Sequence, residues 1–419
     1  MTTTDNPVDM PPFVSMTRDA RCPFDPPPAY RELRSDGALT RVRLPDGSTP
    51  WVVTRYEHQR ALLADPRVST DPRNPGFPAA DLVQAAGHGD ETARPTEIAE
   101  NQLSFDLLDD PEHARLRRMV TGSFTVGRVD ALQPAVQRIV DELIDAILDG
   151  PKPVDLVQAL ALPVPTMVIC ELLGVPYERR TLFQEHSAAI VDSAATAGQR
   201  AAATAVMTEF IDELLADKLT EPGDDLLSEL AARVQGGELA RFDAARMGVV
   251  LLLAGHETTA NMIALGTLAL LENPDQFALL RDSDDDPRLA AGAVEELLRY
   301  LHITHRGMRR CATEDIEIDG HTIRAGDGLI VLTELGNRDT DRFAEPDHLD
   351  ITRDARRHLA FGFGVHQCLG QALARMELRV VYRTLCKRIP TLQRAVGLAE
   401  VPFKNDSVIY GVDALPVTW

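Results

Sequence analysis

The chain has 419 residues, 44% hydrophobic and 26% charged, and its 64 acidic side chains outnumber 43 basic ones for a formal charge of −21. That balance excludes a nucleic-acid surface, which needs clustered cations, and fits an ordinary soluble protein. Its five cysteines, Cys22, Cys170, Cys311, Cys368 and Cys386, are scattered and never form CxxC, which speaks against a disulfide framework or a clustered zinc site and suits a reducing cytoplasm.

In chain order, the N-terminal MTTTDNPVDMPP is polar and proline-rich, without the basic and apolar regions of a signal peptide. No apolar run approaches the roughly 18 residues of a membrane span. LTRVRLPDGSTPWVVT places Asp46-Gly47 between two β-rich runs and predicts a hairpin, followed by a helix at YEHQRALLADP. Residues 70–105 are rich in Gly, Pro and polar residues, a long loop of the kind that carries function. From about residue 128 the spacing turns helical, and VDALQPAVQRIVDELIDAILDG stops at Gly150-Pro151.

AGQRAAATAVMTEFIDELLADKL and DDLLSELAARV continue the helical series. The longest candidate runs from Phe242 to Glu272, a rod on the order of 45 Å. Asp286 is the expected N-cap of the next helix, with Pro287 at its first position. After Arg306, DIEIDGHTIRAGDGLIVLT alternates around Asp319-Gly320, and SVIYGVDALPVTW reads as a last hairpin. The expectation is one mainly helical domain over 1–419, with a smaller β-rich part at about 30–70, 306–335 and 400–419.

Three chemical signatures fail. GFGVHQ has Gln367 where a dinucleotide loop needs its third glycine, HETTA lacks the second histidine of a zinc protease, and no GxSxG occurs. Cys368 is different. Alone, such a cysteine reads as a small buried hydrophobe. Here Gly362, Gly364 and Gly370 let the backbone wrap a sulfur and aim N–H groups at it. One thiolate without other protein ligands suits a metal whose remaining positions are filled, as in haem with its four pyrrole nitrogens.

FGFGVHQCLG resembles the cysteine-loop signature of the cytochrome P-450 family, the haem-thiolate monooxygenases. Phe361, Gly364, Cys368 and Gly370 meet its FxxGxxxCxG, and Ala374-Arg375 and Glu377 follow in the family manner. AGHETT, residues 254–259, resembles the family's oxygen-activation stretch. Ala254 and Thr258 share a helix face, so the Thr258 hydroxyl can bond back to the Ala254 carbonyl. EELLR supplies Glu296 and Arg299, one helical turn apart.

The resemblance implies the cytochrome P-450 fold, a large helical region around haem b, and these roles. Cys368 is the axial iron ligand, and Glu257-Thr258 the acid–alcohol pair that relays protons to dioxygen. Glu296 and Arg299 form a structural pair completed by His348 in PDHLDITR. His113, Arg117, Arg310 and His358 bind the haem propionates, while Ala254, Phe361, Gly362, Gly364 and Gly370 complete the haem pocket. Substrate would meet residues 70–105, 173–195, 301–308 and 407–411, with Val250, Ala254, Ile303, Thr304 and Ile409 as candidate walls and His302 and His305 as polar groups. A bulky apolar metabolite, such as a macrolide, polyene, terpenoid or steroid, is the implied substrate.

No flavin or iron–sulfur module is visible, so electrons would come from a ferredoxin and its reductase. Residues 353–388 carry eight basic side chains against two acidic ones, Asp354 and Glu377. That excess predicts a docking patch near Arg375, Arg379 and Arg383, to which Arg115 and Arg118 would add. The expected protein is a cytoplasmic monomer of the soluble bacterial type. A haem-thiolate peroxygenase, an oxidative coupling enzyme and a non-catalytic haem sensor are the alternatives.

Overall fold

A computed structural model describes residues 17–419 apart from 36, 79–104, 192–194, 284–285, 306 and 406. Most of the loop expected at 70–105 thus lies outside the described residues. The helix Arg241–Glu272 forms the axis of the structure, starting one residue before its sequence pattern suggests. Pro274 opens the following helix, Pro274–Arg281, directly behind it. Buried positions run right round the central helix, because helices Ala197–Thr220, Pro163–Leu173 and Gln371–Arg388 all pack on it.

Among the described residues this is the one helix long and apolar enough to cross a membrane, and most of it is buried inside the fold. The sequence expectation was that no apolar run approaches the length of a membrane span; this helix passes that test by length and composition, with 72% of its apolar stretch buried. Gly266 shows how tightly the helix is clasped: a Cβ there would lie 2.0 Å from the Tyr382 hydroxyl, which donates to the Met262 carbonyl.

The first predicted hairpin pairs Leu39–Arg41 with Trp51–Val53, Leu39 opposite Val53. It joins a five-stranded sheet in the order Leu39–Arg41, Trp51–Val53, Gly328–Val331, Met308–Ala312, Val68–Ser69. All neighbours are antiparallel except Trp51–Val53 against Gly328–Val331. Asp319 and Gly320, both at positive φ, turn the small hairpin Ile316–Ile318 to His321–Ile323.

The tail is built differently from the expected single hairpin. Phe403 bridges Val412, and Ile409 in the tip between them bridges Thr304. The last strand, Pro416–Thr418, pairs instead with Val154–Asp155 and Gln393–Arg394. Those partners are two-residue strands with no periodicity to read, so only tertiary packing reveals them.

Helix Pro287–Tyr300 begins as expected: the Asp286 carboxylate accepts from the Arg288 N–H at 2.8 Å, with Pro287 in the first turn. It delivers Glu296 and Arg299 to the interior beside the helix that follows the cysteine loop.

Candidate active site

The segment after Phe363 makes a single 3-10 turn, Gly364–His366, and then folds back so that the Cys368 N–H donates to the Phe361 carbonyl at 2.9 Å. Gly364 sits at φ 78°, and a Cβ on it would fall 2.1 Å from the Leu63 carbonyl oxygen, so both conformation and space demand glycine. Helix Gln371–Arg388 starts immediately behind, at Gly370. Burial pushes the Cys368 thiol up, while the amides of Gly370 and Gln371 and the Arg117 and Arg375 guanidiniums pull it down without prevailing. A metal cation at the sulfur would tip that balance to thiolate.

Cys368 has open surface, but that surface faces a cavity of about 350 Å³. Its walls are largely apolar, including Phe105, Ile169, Val250, Leu298, Leu301 and Phe361. The central helix adds Ala254 and Thr258, and the Thr258 hydroxyl donates to the Ala254 carbonyl at 2.6 Å. Glu257 points elsewhere. It is 6% exposed and absent from the cavity wall, and burial pushes its carboxyl up against the opposing pull of Lys404 and Asn261. A larger hollow of about 730 Å³ lies between residues 286–295 and 351–356, but it is an open charged groove without a thiol.

At the edge of the cavity four basic groups gather. His113 is buried, stacks on His366 at 4.1 Å between ring centroids, and leaves its Nε2 without a partner. Arg117 lines the cavity and donates to the Gln367 carbonyl at 2.5 Å. Burial lowers Arg310 to about 10, against a pull from Asp109. It drives His366 down to about 3, helped by His113, Arg310 and Arg117. Two guanidinium cations, Arg117 and Arg310, beside neutral imidazoles and an orphaned buried ring nitrogen make a receptor for carboxylates.

His358, expected in that cluster, is not part of it. Its Nδ1 accepts from the Ala360 N–H at 3.1 Å, and its Nε2 lies 3.2 Å from Glu295, out of hydrogen-bond alignment. Burial works to raise the Glu295 carboxyl, but His358 and Arg375 outweigh it and hold it at about 2. His366 takes the place assigned to His358. His366 lies two residues before Cys368, inside the glycine-rich loop.

Glu296 and Arg299 are fully buried and bidentate, at 2.7 and 2.8 Å. Arg299 also donates to the carbonyls of Asn337, Pro346 and His348. The third side chain on Glu296 is Arg353, at 3.1 Å, not His348, which is exposed and contributes only its carbonyl. The sequence spacing found the right segment and the wrong residue, because the chain turns His348 outward and Arg353 inward.

The basic stretch 353–388 is less positive in space than in sequence. Arg353 pairs with Glu296, Arg375 with Glu295 at 2.6 Å, and Arg388 with Asp141 and Asp145. These acids come from outside the stretch. Arg379 reaches Gln133, and Arg356 and Arg357 are exposed.

Among the substrate candidates, Val250, Ala254, Ile303 and Thr304 line the cavity, whereas Ile409 stands behind Thr304 through its backbone bridge. His302 lines it too, its Nε2 2.9 Å from the Thr304 hydroxyl. Burial drives His302 down to about 3, so it is a neutral ring. His305 stacks on Tyr410 instead. An apolar cavity holding one thiol, with a carboxylate receptor at its edge, fits a flat apolar macrocycle that carries two carboxylates and a thiolate-bound metal.

The family model described as Cytochrome P-450 matches residues 288–388. The chain is 54% identical over 420 residues to cytochrome P-450 GfsF of Streptomyces halstedii, covering 99% of this chain and 98% of that protein. The solved structure of GfsF superimposes with a TM-score of 0.88 at 53% identity, covering 98% of this chain and 100% of that one. The 20-oxo-5-O-mycaminosyltylactone 23-monooxygenase of Streptomyces fradiae is 44% identical over 400 residues, 95% of this chain and 90% of that protein. The methyl hydroxylase MycCI of Micromonospora griseorubida, solved with mycinamicin VIII bound, gives a TM-score of 0.86 at 42% identity and covers 98% of this chain and 100% of that one.

Proposed function

The chain belongs to the cytochrome P-450 family and is a monooxygenase with haem b as cofactor, and from that premise we propose that it oxidises a macrolide-type secondary metabolite. The observation that carries this reading is the cavity itself, whose walls are largely apolar with polar groups set among them, His302-Thr304 included. A large ring with scattered oxygens suits such a lining. Relatives named for mycaminosyltylactone and mycinamicin VIII support the same class. Polyene, terpenoid and steroid substrates are the competing classes.

Bound haem supplies dioxygen activation, inserting one oxygen atom into a C–H or C=C bond while the other leaves as water. Cys368 would hold the haem iron through its sulfur, and the Gly370 and Gln371 amides at that sulfur would limit how much charge it carries. His113, Arg117, Arg310 and His366 would hold the propionates. Phe361 and Gly370 border the same cavity, and Gly362 and Gly364 shape the loop. Thr258 gives its hydrogen to Ala254, so its lone pairs are free to accept a hydrogen bond inside the cavity. Glu257 is the buried acid that holds the proton for that side of the helix.

The test is a titration of the ferric holoprotein with macrolides, polyenes, terpenoids and steroids. A saturable high-spin shift with a macrolide is expected, and a shift confined to another class would overturn the substrate reading. With the ligand so found, Thr258→Ala should keep the shift and lower product formed per NADH by about tenfold or more. Unchanged coupling would remove Thr258 from proton delivery.

A ferredoxin is the proposed electron donor, docking at Arg356, Arg357 and Arg379, where Arg356 and Arg357 are exposed and Asp354, the carboxylate 3.5 Å from Arg356, is exposed as well. Charge reversal at Arg356 and Arg379 together should slow reduction several-fold at low salt, with the difference shrinking as salt rises. Equal rates at low salt would place the docking surface elsewhere.

A further inference from the structure

One buried titratable side chain in the heart of the fold has no role above. His256 is 1% exposed, and neither ring nitrogen has a hydrogen-bond partner. A buried polar group left unpaired costs about 1–3 kcal/mol, so such a ring needs a reason. Phe183 of helix Arg180–Val191 meets it edge-on at 5.3 Å. From helix Pro163–Leu173, Ile169 packs on the adjacent Gly255. Among the described residues, the charged groups that bear on it are Glu257, with Oε1 at 3.6 Å from Nδ1, and the half-buried Lys404 of the C-terminal segment.

Glu257 is held just as loosely. Its nearest other polar contact is Asn261 Nδ2 at 3.5 Å, and that amide spends its good bond, 2.8 Å, on the Glu257 backbone carbonyl. Asn261 is pinned in turn, pressed so close to Gly411 that a Cβ there would lie 1.7 Å from its Oδ1. The Glu257 carboxyl is thus a buried acid without a fixed partner, one small rotation from the ring. Burial lowers the proton affinity of His256 to about 4, with Lys404 adding to the shift, and raises that of Glu257, so a proton on the ring is drawn to the carboxylate.

We propose that His256 is the relay partner of Glu257, receiving protons on the Lys404 side and passing them from Nδ1 to the carboxylate. In each transfer one N–H bond breaks and one O–H bond forms, leaving a neutral imidazole and a carboxylic acid. A proton from solvent at the Lys404 edge recharges the ring. The inference rests on Glu257 being the proton-holding acid. His256 acts through that residue and touches neither substrate nor haem.

The test follows the Glu257 carboxylic C=O band in infrared difference spectra of the ferric holoprotein at mildly acid pH, assigned by its loss in Glu257→Gln. On transfer to D2O, the rate at which the band moves to its deuterated position should fall about tenfold or more in both His256→Phe and His256→Gln. The reduced carbon monoxide spectrum verifies that each variant keeps its haem, and glutamine keeps the polarity without the titration. Unchanged exchange rates in the variants would overturn the relay, as would the absence of any band lost in Glu257→Gln. Failure of the underlying reading shows separately, as Glu257→Gln with unchanged product per NADH.

Discussion

Cys368→Ser should abolish the strongly red-shifted Soret band of the reduced carbon monoxide complex. It should cut turnover by more than the roughly 10–100-fold that loss of an outer partner of a metal ligand costs. No other thiol can substitute. Burial pushes Cys170 and Cys386 up to about 12, so they stay protonated, and neither borders the cavity. Cys311 is buried in a sheet strand and Cys22 is exposed near the N-terminus. Among the described residues no group of three or more His, Cys, Asp or Glu could hold a metal ion, so no alternative centre competes. A variant that retained the wild-type band would show that the sulfur is not the ligand.

Arg299→Ala is the second large effect. Removing it leaves Glu296, with no exposed side-chain surface, facing only Arg353 and the Asp350 N–H. Breaking a buried pair of this kind costs about 3–5 kcal/mol, a large share of a typical domain's stability. The loss also frees the carbonyls of Asn337 and Pro346 and leaves that of His348 to Arg353 alone, loosening the ties between helix Pro287–Tyr300 and the segment leading into the cysteine loop. Arg299→Lys should rescue little, because an ammonium cannot span a bidentate carboxylate and three carbonyls. Urea unfolding and haem retention both report the effect. An Arg299→Ala protein within about 1 kcal/mol of wild type would mean the pair is dispensable.

What was legible in the sequence was local. The cysteine loop, the Ala254–Thr258 back-bond and the Glu296–Arg299 pair each lie within one or two helical turns, where spacing dictates who can meet. The errors lie where partners come from afar. His348 and Arg353 are five residues apart on an irregular turn, and nothing in their spacing says which faces Glu296. His358 was claimed from afar by Glu295 and Arg375, leaving His366 beside His113. The basic stretch around the cysteine loop looked unopposed because Glu295, Asp141 and Asp145 lie up to 247 residues earlier in the chain. Charge counted along a window is not charge in space.

The seam between residues 303–305 and the C-terminal tip bears on how such proteins can be recombined. The Tyr410 N–H donates to the Ile303 carbonyl and the His305 N–H to the Val408 carbonyl, so the tip and the cavity wall behave as one piece of backbone. A crossover between Gly307 and Asn405 puts the two halves of that seam under different parents. Tail swaps among homologues will therefore transmit selectivity faithfully only when residues 301–305 travel with the tail.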